Sequence, residues 1–196
     1  LAVAVAQRLG ATAASQRLLR RAALLHDIGM LGVSNLVLDK PGALDGSERQ
    51  AMQTHTARTH RILDRVSGFS LLADIAASHH ERLDGRGYHR GLAGTELGLE
   101  ARCLVVADLC EALSASRPYR TPLPMERVLT ILDGEAGVGL CGDVVAAMNL
   151  YTPFMTLVMN MVFGVGATVV FGVAMQLLAY IRQSVMGVAF GIDAVF

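Results

Sequence analysis

Apolar residues recur at three- and four-residue intervals over Gln16–Ile28, Ser47–Val66, Leu71–Glu81, Leu99–Ala115 and Met125–Leu132, and that spacing predicts amphipathic helices. Gly- and Pro-bearing connections separate them: KPGALDGS at 40–47, DGRGYHRGL at 84–92 and SRPYRTPLP at 116–124. No run of alternating residues is long enough to predict a strand. The pattern therefore specifies an all-α chain, with no internal repeat and no low-complexity segment.

The pattern changes near residue 144. After Asp143 the only charged residues are Arg182 and Asp193. Met161–Ile181 reads MVFGVGATVVFGVAMQLLAYI, which as a helix would span about 31 Å, the thickness of a bilayer core. A soluble helix of that length normally shows a polar face, so the expectation is a transmembrane helix near 157–181. A buried helix, or a tail foreign to the reading frame of the domain, remains an alternative. The expected organisation is a metal-binding domain over 1–146 and a hydrophobic tail over 147–196.

Composition narrows the function. The 196 residues carry 17 basic and 17 acidic groups, so no surplus of positive charge points to a nucleic-acid polymer. Cys103, Cys110 and Cys141 are odd in number and lack CxxC spacing, which fits buried thiols in a reducing compartment. Leu1 opens in the middle of an apolar helical pattern, so an upstream segment is expected and no signal peptide is read.

The predicted inward stripes are interrupted by ionisable residues. His55 falls on Met52, His55, Thr59, Ile62, Leu63, Val66. His79 ends Leu72, Ile75, Ala76, His79. Asp108 sits in Ala101, Leu104, Val105, Asp108, Ala112. His26 and Asp27 close the first apolar run, and His80 adjoins His79. One inward histidine is ordinarily a hydrogen-bonded core residue. Six such groups from four helices would be a large uncompensated cost unless they converge on a cation. Imidazoles with carboxylates suit Fe, Mn, Co, Ni or Zn. His60 is expected at the surface and Arg20 and Arg21 on a solvated face. Glu81 is either an orienting partner of a ligating histidine or a solvated acid.

These motifs in order, HD at 26–27, His55, HHE at 79–81 with DGRGY at 84–88, and VADLCEALSASRPYR at 106–120 with its leading Val105, resemble the HD-GYP domain, a bacterial branch of the HD phosphohydrolases. The resemblance covers about residues 1–146. It implies an HD-domain helical bundle holding two divalent transition-metal ions, Fe or Mn foremost, that hydrolyses cyclic di-GMP to pGpG or GMP. His26, Asp27, His55, His79, His80 and Asp108 would be the ligands, with Asp27 bridging and Asp27 and His26 catalytic. Asp84, Gly87, Tyr88, Arg117 and Arg120 would meet the substrate, Tyr88 on the guanine side and the arginines on phosphate. A bacterial cytoplasmic location at the inner membrane is implied. An upstream sensor or receiver domain and a homodimer are left open.

Three positions depart from the family pattern: Met30 stands for a Lys, His89 for the Pro of GYP, and Glu111 for an Asp. Two further ligands of a third metal site would lie before Leu1. Loss of the Lys would remove a charge-assisted contact worth about 2 to 4 kcal/mol in the transition state. A binding module without turnover, or a hydrolase of another nucleotide, are the competing expectations.

Overall fold

The computed structural model describes residues 1–115 and 121–150. The expected transmembrane segment lies outside these residues, as do Arg117 and Arg120. Among the described residues the chain is helical, with isolated bridges at Asp84–Ala93 and Ala136–Leu140 in place of any strand. No described helix is long and apolar enough to cross a membrane.

Helix α1 (Ala2–Arg8) and α2 (Ala13–Leu25) precede a 3-10 turn at Ile28–Gly32 and the short α3 (Asn35–Leu38). Then come α4 (Gly46–Leu63), α5 (Ser70–Ala77), α6 (Leu99–Ser114) and α7 (Met125–Glu135), with helical residues again at 142–150. Start signals are conventional. The Thr12 hydroxyl accepts the Ser15 N–H at 3.2 Å. Asp45 and Glu48 form a reciprocal capping box at the head of α4, at 2.9 and 2.8 Å, and Lys40 pairs with Glu48 at 2.5 Å. That pairing ties the Lys40–Gly42 turn to the helix that carries His55.

Helix α6 is central. Ala101, Cys103, Leu104, Val105, Val106, Ala107 and Cys110 are all buried, because α1, α2, α5 and α7 pack around it. Its cysteines are free and buried, as expected, and burial pushes the thiols of Cys103 and Cys110 up to about 12 and about 11. Arg20 and Arg21 are solvent-exposed, also as expected.

The α4 stripe differs from the expectation. Its buried residues are His55, Thr56, Thr59 and Leu63, whereas Ile62 and Val66 are exposed. The helix ends at Leu63, so Val66 falls in the following turn, and α4 turns a largely polar face onto the 3-10 turn and α5. That face is closed by backbone contact. A Cβ on Gly29 would collide with the His55 carbonyl oxygen and stand 2.5 Å from the Thr59 nitrogen. Gly29→Ala is expected to destabilise the domain by about 3 kcal/mol, read as a lower urea midpoint at unchanged slope.

Candidate metal centre

Each candidate ligand sits where a helix stops or where α6 is deepest. Helix α2 ends at Leu25, so His26 is its cap and Asp27 opens the 3-10 turn. The Thr59 hydroxyl of α4 donates to the His26 carbonyl at 2.8 Å and accepts the Gly29 N–H at 3.0 Å, holding this turn on both sides of Asp27. Helix α5 ends at Ala77, short of the expected Glu81. The Ser78 hydroxyl donates to the Asp74 carbonyl at 2.7 Å, and His79 and His80 lie in the turn beyond it.

The three most buried imidazoles are oriented alike. Nδ1 of His26, His55 and His79 lies 2.9, 2.7 and 2.7 Å from the carbonyl oxygen of Ala23, Met52 and Ala76, each three residues earlier. A carbonyl only accepts, so each Nδ1 carries a proton and each ring turns its Nε2 away from its own helix. Those atoms converge. Nε2 of His55 and His79 are 3.1 Å apart. Asp27 Oδ1 is 3.6 Å from the first and 3.5 Å from the second, while its Oδ2 is 3.4 Å from His26 Nε2. Asp108 Oδ1 is also 3.4 Å from His26 Nε2. Two facing lone pairs repel unless a proton or cation lies between them, and His26 Nε2 is buried without a well-formed hydrogen bond.

This spacing suits a divalent ion. At a metal–nitrogen distance of about 2.1 Å, ligands on one ion stand about 3.0 Å apart at a right angle and about 3.4 Å apart at the tetrahedral angle. Two overlapping groups can hold a metal, His26–Asp27–His79 and His55–His79–His80. Asp27 lies between His26 on one side and His55 and His79 on the other, with one oxygen toward each side.

Electrostatics divides the ligands. Burial pushes the pKa of His55 down, and burial with His79 pushes that of His80 down to about 3, so both are neutral. For His26, burial works against the charged form, but Asp108 and Asp27 outweigh it and the pKa rises. Asp108 is the counterpart: burial raises its pKa, but His26 outweighs that and holds the carboxyl below its usual range.

Tyr88 overlooks this centre. Its ring is 4.9 Å from that of His80 and 6.4 Å from that of His55, and its N–H donates to the His80 carbonyl at 3.2 Å. Burial, with Asp108 and Asp27, keeps the phenol protonated. Asp84 and Gly87, expected at the substrate, sit in the loop framework. The Asp84 carboxylate accepts from Arg82 at 2.9 to 3.2 Å and from the Arg86 N–H at 3.0 Å, and these bonds hold its pKa down to about 2. A Cβ on Gly87 would lie 2.6 Å from the Arg82 nitrogen. Glu81 follows neither sequence alternative: it is fully buried, and its oxygens accept the N–H groups of Arg90 at 2.7 Å and Leu92 at 3.0 Å. His60 is half-buried and bonded to Asp74 at 3.2 Å, an oxygen it shares with Arg90 at 2.9 Å. The signal for Glu81 was its place between two ligands and a Gly-rich loop; Thr59 carried no signal beyond its place on the stripe.

An all-helical bundle with a His-Asp pair at a helix end, met by imidazoles from two further segments and a carboxylate of a central helix, defines the HD class of fold and site. The sequence profile of the HD domain matches residues 1–141, and the chain belongs to that family. It is 47% identical over 145 residues to the 3′3′-cGAMP-specific phosphodiesterase 3 of Vibrio cholerae, covering 74% of this chain and 32% of that protein. It is 37% identical over 145 residues to the cyclic di-GMP phosphodiesterase of Thermotoga maritima, covering 73% and 39%. An HDG"Y"P protein of Bdellovibrio bacteriovorus superposes with a TM-score of 0.61 at 18% identity, over 76% of this chain and 47% of that one, a likeness of fold. The HD-GYP resemblance read from the motifs agrees with these relatives. The chain spans about a third of the length of the curated relatives.

The charge pattern gives metal binding a pH dependence of definite sign. A proton competes with the ion for His26 Nε2, and the raised pKa extends that competition above pH 6.5. Affinity for Mn2+ or Co2+ is expected to fall about tenfold per pH unit as pH drops below the His26 value, measured by calorimetry between pH 8 and pH 5.5. His79→Ala, which removes the residue common to both groups, is expected to reduce bound metal to trace amounts in elemental analysis.

Proposed function

We propose that this domain is a metal-dependent phosphodiesterase that opens a cyclic dinucleotide. The observation that carries the reading is the convergence of three Nε2 atoms on the Asp27 carboxylate, with Asp108 and His80 alongside. His26, Asp27, His55, His79, His80 and Asp108 would hold two divalent ions, of which Fe or Mn suit the mixed donor set. Such ions, when bound, supply Lewis acidity toward a phosphoryl group and an ionised water at neutral pH.

The protein's own groups set the geometry of the reaction. The Nδ1–H bonds prevent the rings of His26, His55 and His79 from turning, so their Nε2 atoms stay aimed at one point. Asp27 and Asp108 supply the negative charge that a pair of dications needs. The protonated Tyr88 phenol can donate a hydrogen bond to a phosphoryl oxygen or cover a base at the rim. Arg117 and Arg120 are proposed to hold phosphate, a contact for which guanidinium forks are suited.

The substrate expected from the motifs is cyclic di-GMP. The name of the Vibrio cholerae relative supports 3′3′-cGAMP as a second candidate, and both molecules carry a pair of 3′,5′ phosphodiesters. Metal-loaded protein is expected to convert one or both to the linear dinucleotide, followed by chromatography, with Asp27→Ala at least a thousandfold slower. Tight binding with no product would instead make the domain a receptor. Met30 lies half-buried in the 3-10 turn that Asp27 opens. Met30→Lys is expected to raise kcat/KM about 30-fold or more, since it restores a cation beside the substrate phosphate.

A further inference from the structure

The loop 84–93 is folded around a single buried carboxylate. Glu81 is fully buried, and it is neither solvated nor bonded to a candidate ligand imidazole. Its Oε1 accepts the Arg90 N–H and its Oε2 accepts the Leu92 N–H, so both oxygens face the returning limb of the loop that follows it. The outgoing limb lies directly on the same residue. Gly87 packs so closely on the Glu81 backbone that a Cβ would stand 2.7 Å from the Glu81 carbonyl carbon. Between these two contacts lies Tyr88, whose N–H is bonded to the His80 carbonyl. Outside, Arg82 joins Asp84 to Glu135 of α7 at 2.9 and 2.7 Å, which anchors the start of the loop.

A carboxylate is the side chain that can do this. It offers acceptors on both oxygens, so two converging N–H donors are satisfied together inside the protein. A glutamine has the same shape but turns one acceptor into a donor, which would face an N–H and leave it unpaired. The limb from Arg90 to Leu92 would then retract, and Tyr88 would lose its fixed place over His80.

We propose that Glu81 is a positioning residue for substrate, acting through Tyr88. It closes the loop whose single aromatic side chain stands at the metal centre. This rests on the reading above that a cyclic dinucleotide is bound there. The separation of roles is specific: Glu81 sets substrate affinity, while the metal ligands hold their places through carbonyls of α2, α4 and α5.

A double-mutant cycle on the full metal-loaded chain tests it, with KM and kcat measured for cyclic di-GMP and 3′3′-cGAMP and metal content measured on every variant. Glu81→Gln is expected to raise KM about tenfold or more with metal content and kcat little changed. Tyr88→Ala is expected to raise KM at least as much with metal content unchanged, and Glu81→Gln on top of Tyr88→Ala is expected to add nothing to KM. Gly87→Ala displaces the same loop from its other limb and should follow the same pattern, which keeps the test open if Glu81→Gln folds poorly. Effects of Glu81→Gln and Tyr88→Ala that multiply would overturn the positioning role and leave the proposed function standing. Loss of metal with Glu81→Gln would overturn it also. Wild-type protein that neither binds nor cleaves either dinucleotide would overturn the function, and the positioning role with it.

Discussion

Three hydrogen bonds from Nδ1 to a carbonyl three residues back determine the character of this molecule. They fix the tautomer and the angle of His26, His55 and His79 together. Once the protons are there, the opposite nitrogens face each other and the carboxylates of Asp27 and Asp108. The rest of the bundle serves to bring those nitrogens to one place. Helix α6 fills the middle so that α2 and α5 end side by side, and α4 approaches the 3-10 turn to backbone contact at Gly29.

Much of the centre was legible in the sequence, and for a physical reason. A carboxylate or imidazole on an apolar stripe is costly, so Asp108, His55 and His79 stood out against Leu104, Leu63 and Ile75. Helix ends were less legible. The α5 pattern continues through His79 because the turn after Ala77 keeps the ring on the same face, so periodicity does not register the exit. The exit becomes visible only when Ser78 is seen bonding back to Asp74. Likewise Ile62 and Leu63 are equally apolar, and only the position of α5 decides which is buried.

Polar residues whose function is architectural were the hardest to read. Asp84 and Gly87 read from the motifs as substrate contacts, and Glu81 as an orienting partner of a histidine or a solvated acid. In the folded chain Asp84 is taken up by Arg82 and Arg86, Gly87 by close packing, and Glu81 by two loop N–H groups. Residue type and spacing say that a polar atom is needed. They do not say whether its partner is a ligand or the protein's own backbone, because both are satisfied by the same bond.

The ligands are spread widely along the chain. His26 and Asp108 are about 80 residues apart, and apart from the His26–Asp27 and His79–His80 pairs no two are close in sequence. A short metal-binding peptide, such as a zinc finger, can recruit its ion early and fold around it. Here the candidate donors come from the ends of α2 and α5, from α4 and from α6, so they stand together only where those helices pack. An ion at this centre would meet donors already held in place by the Nδ1–carbonyl bonds of the packed helices, not by the ion itself.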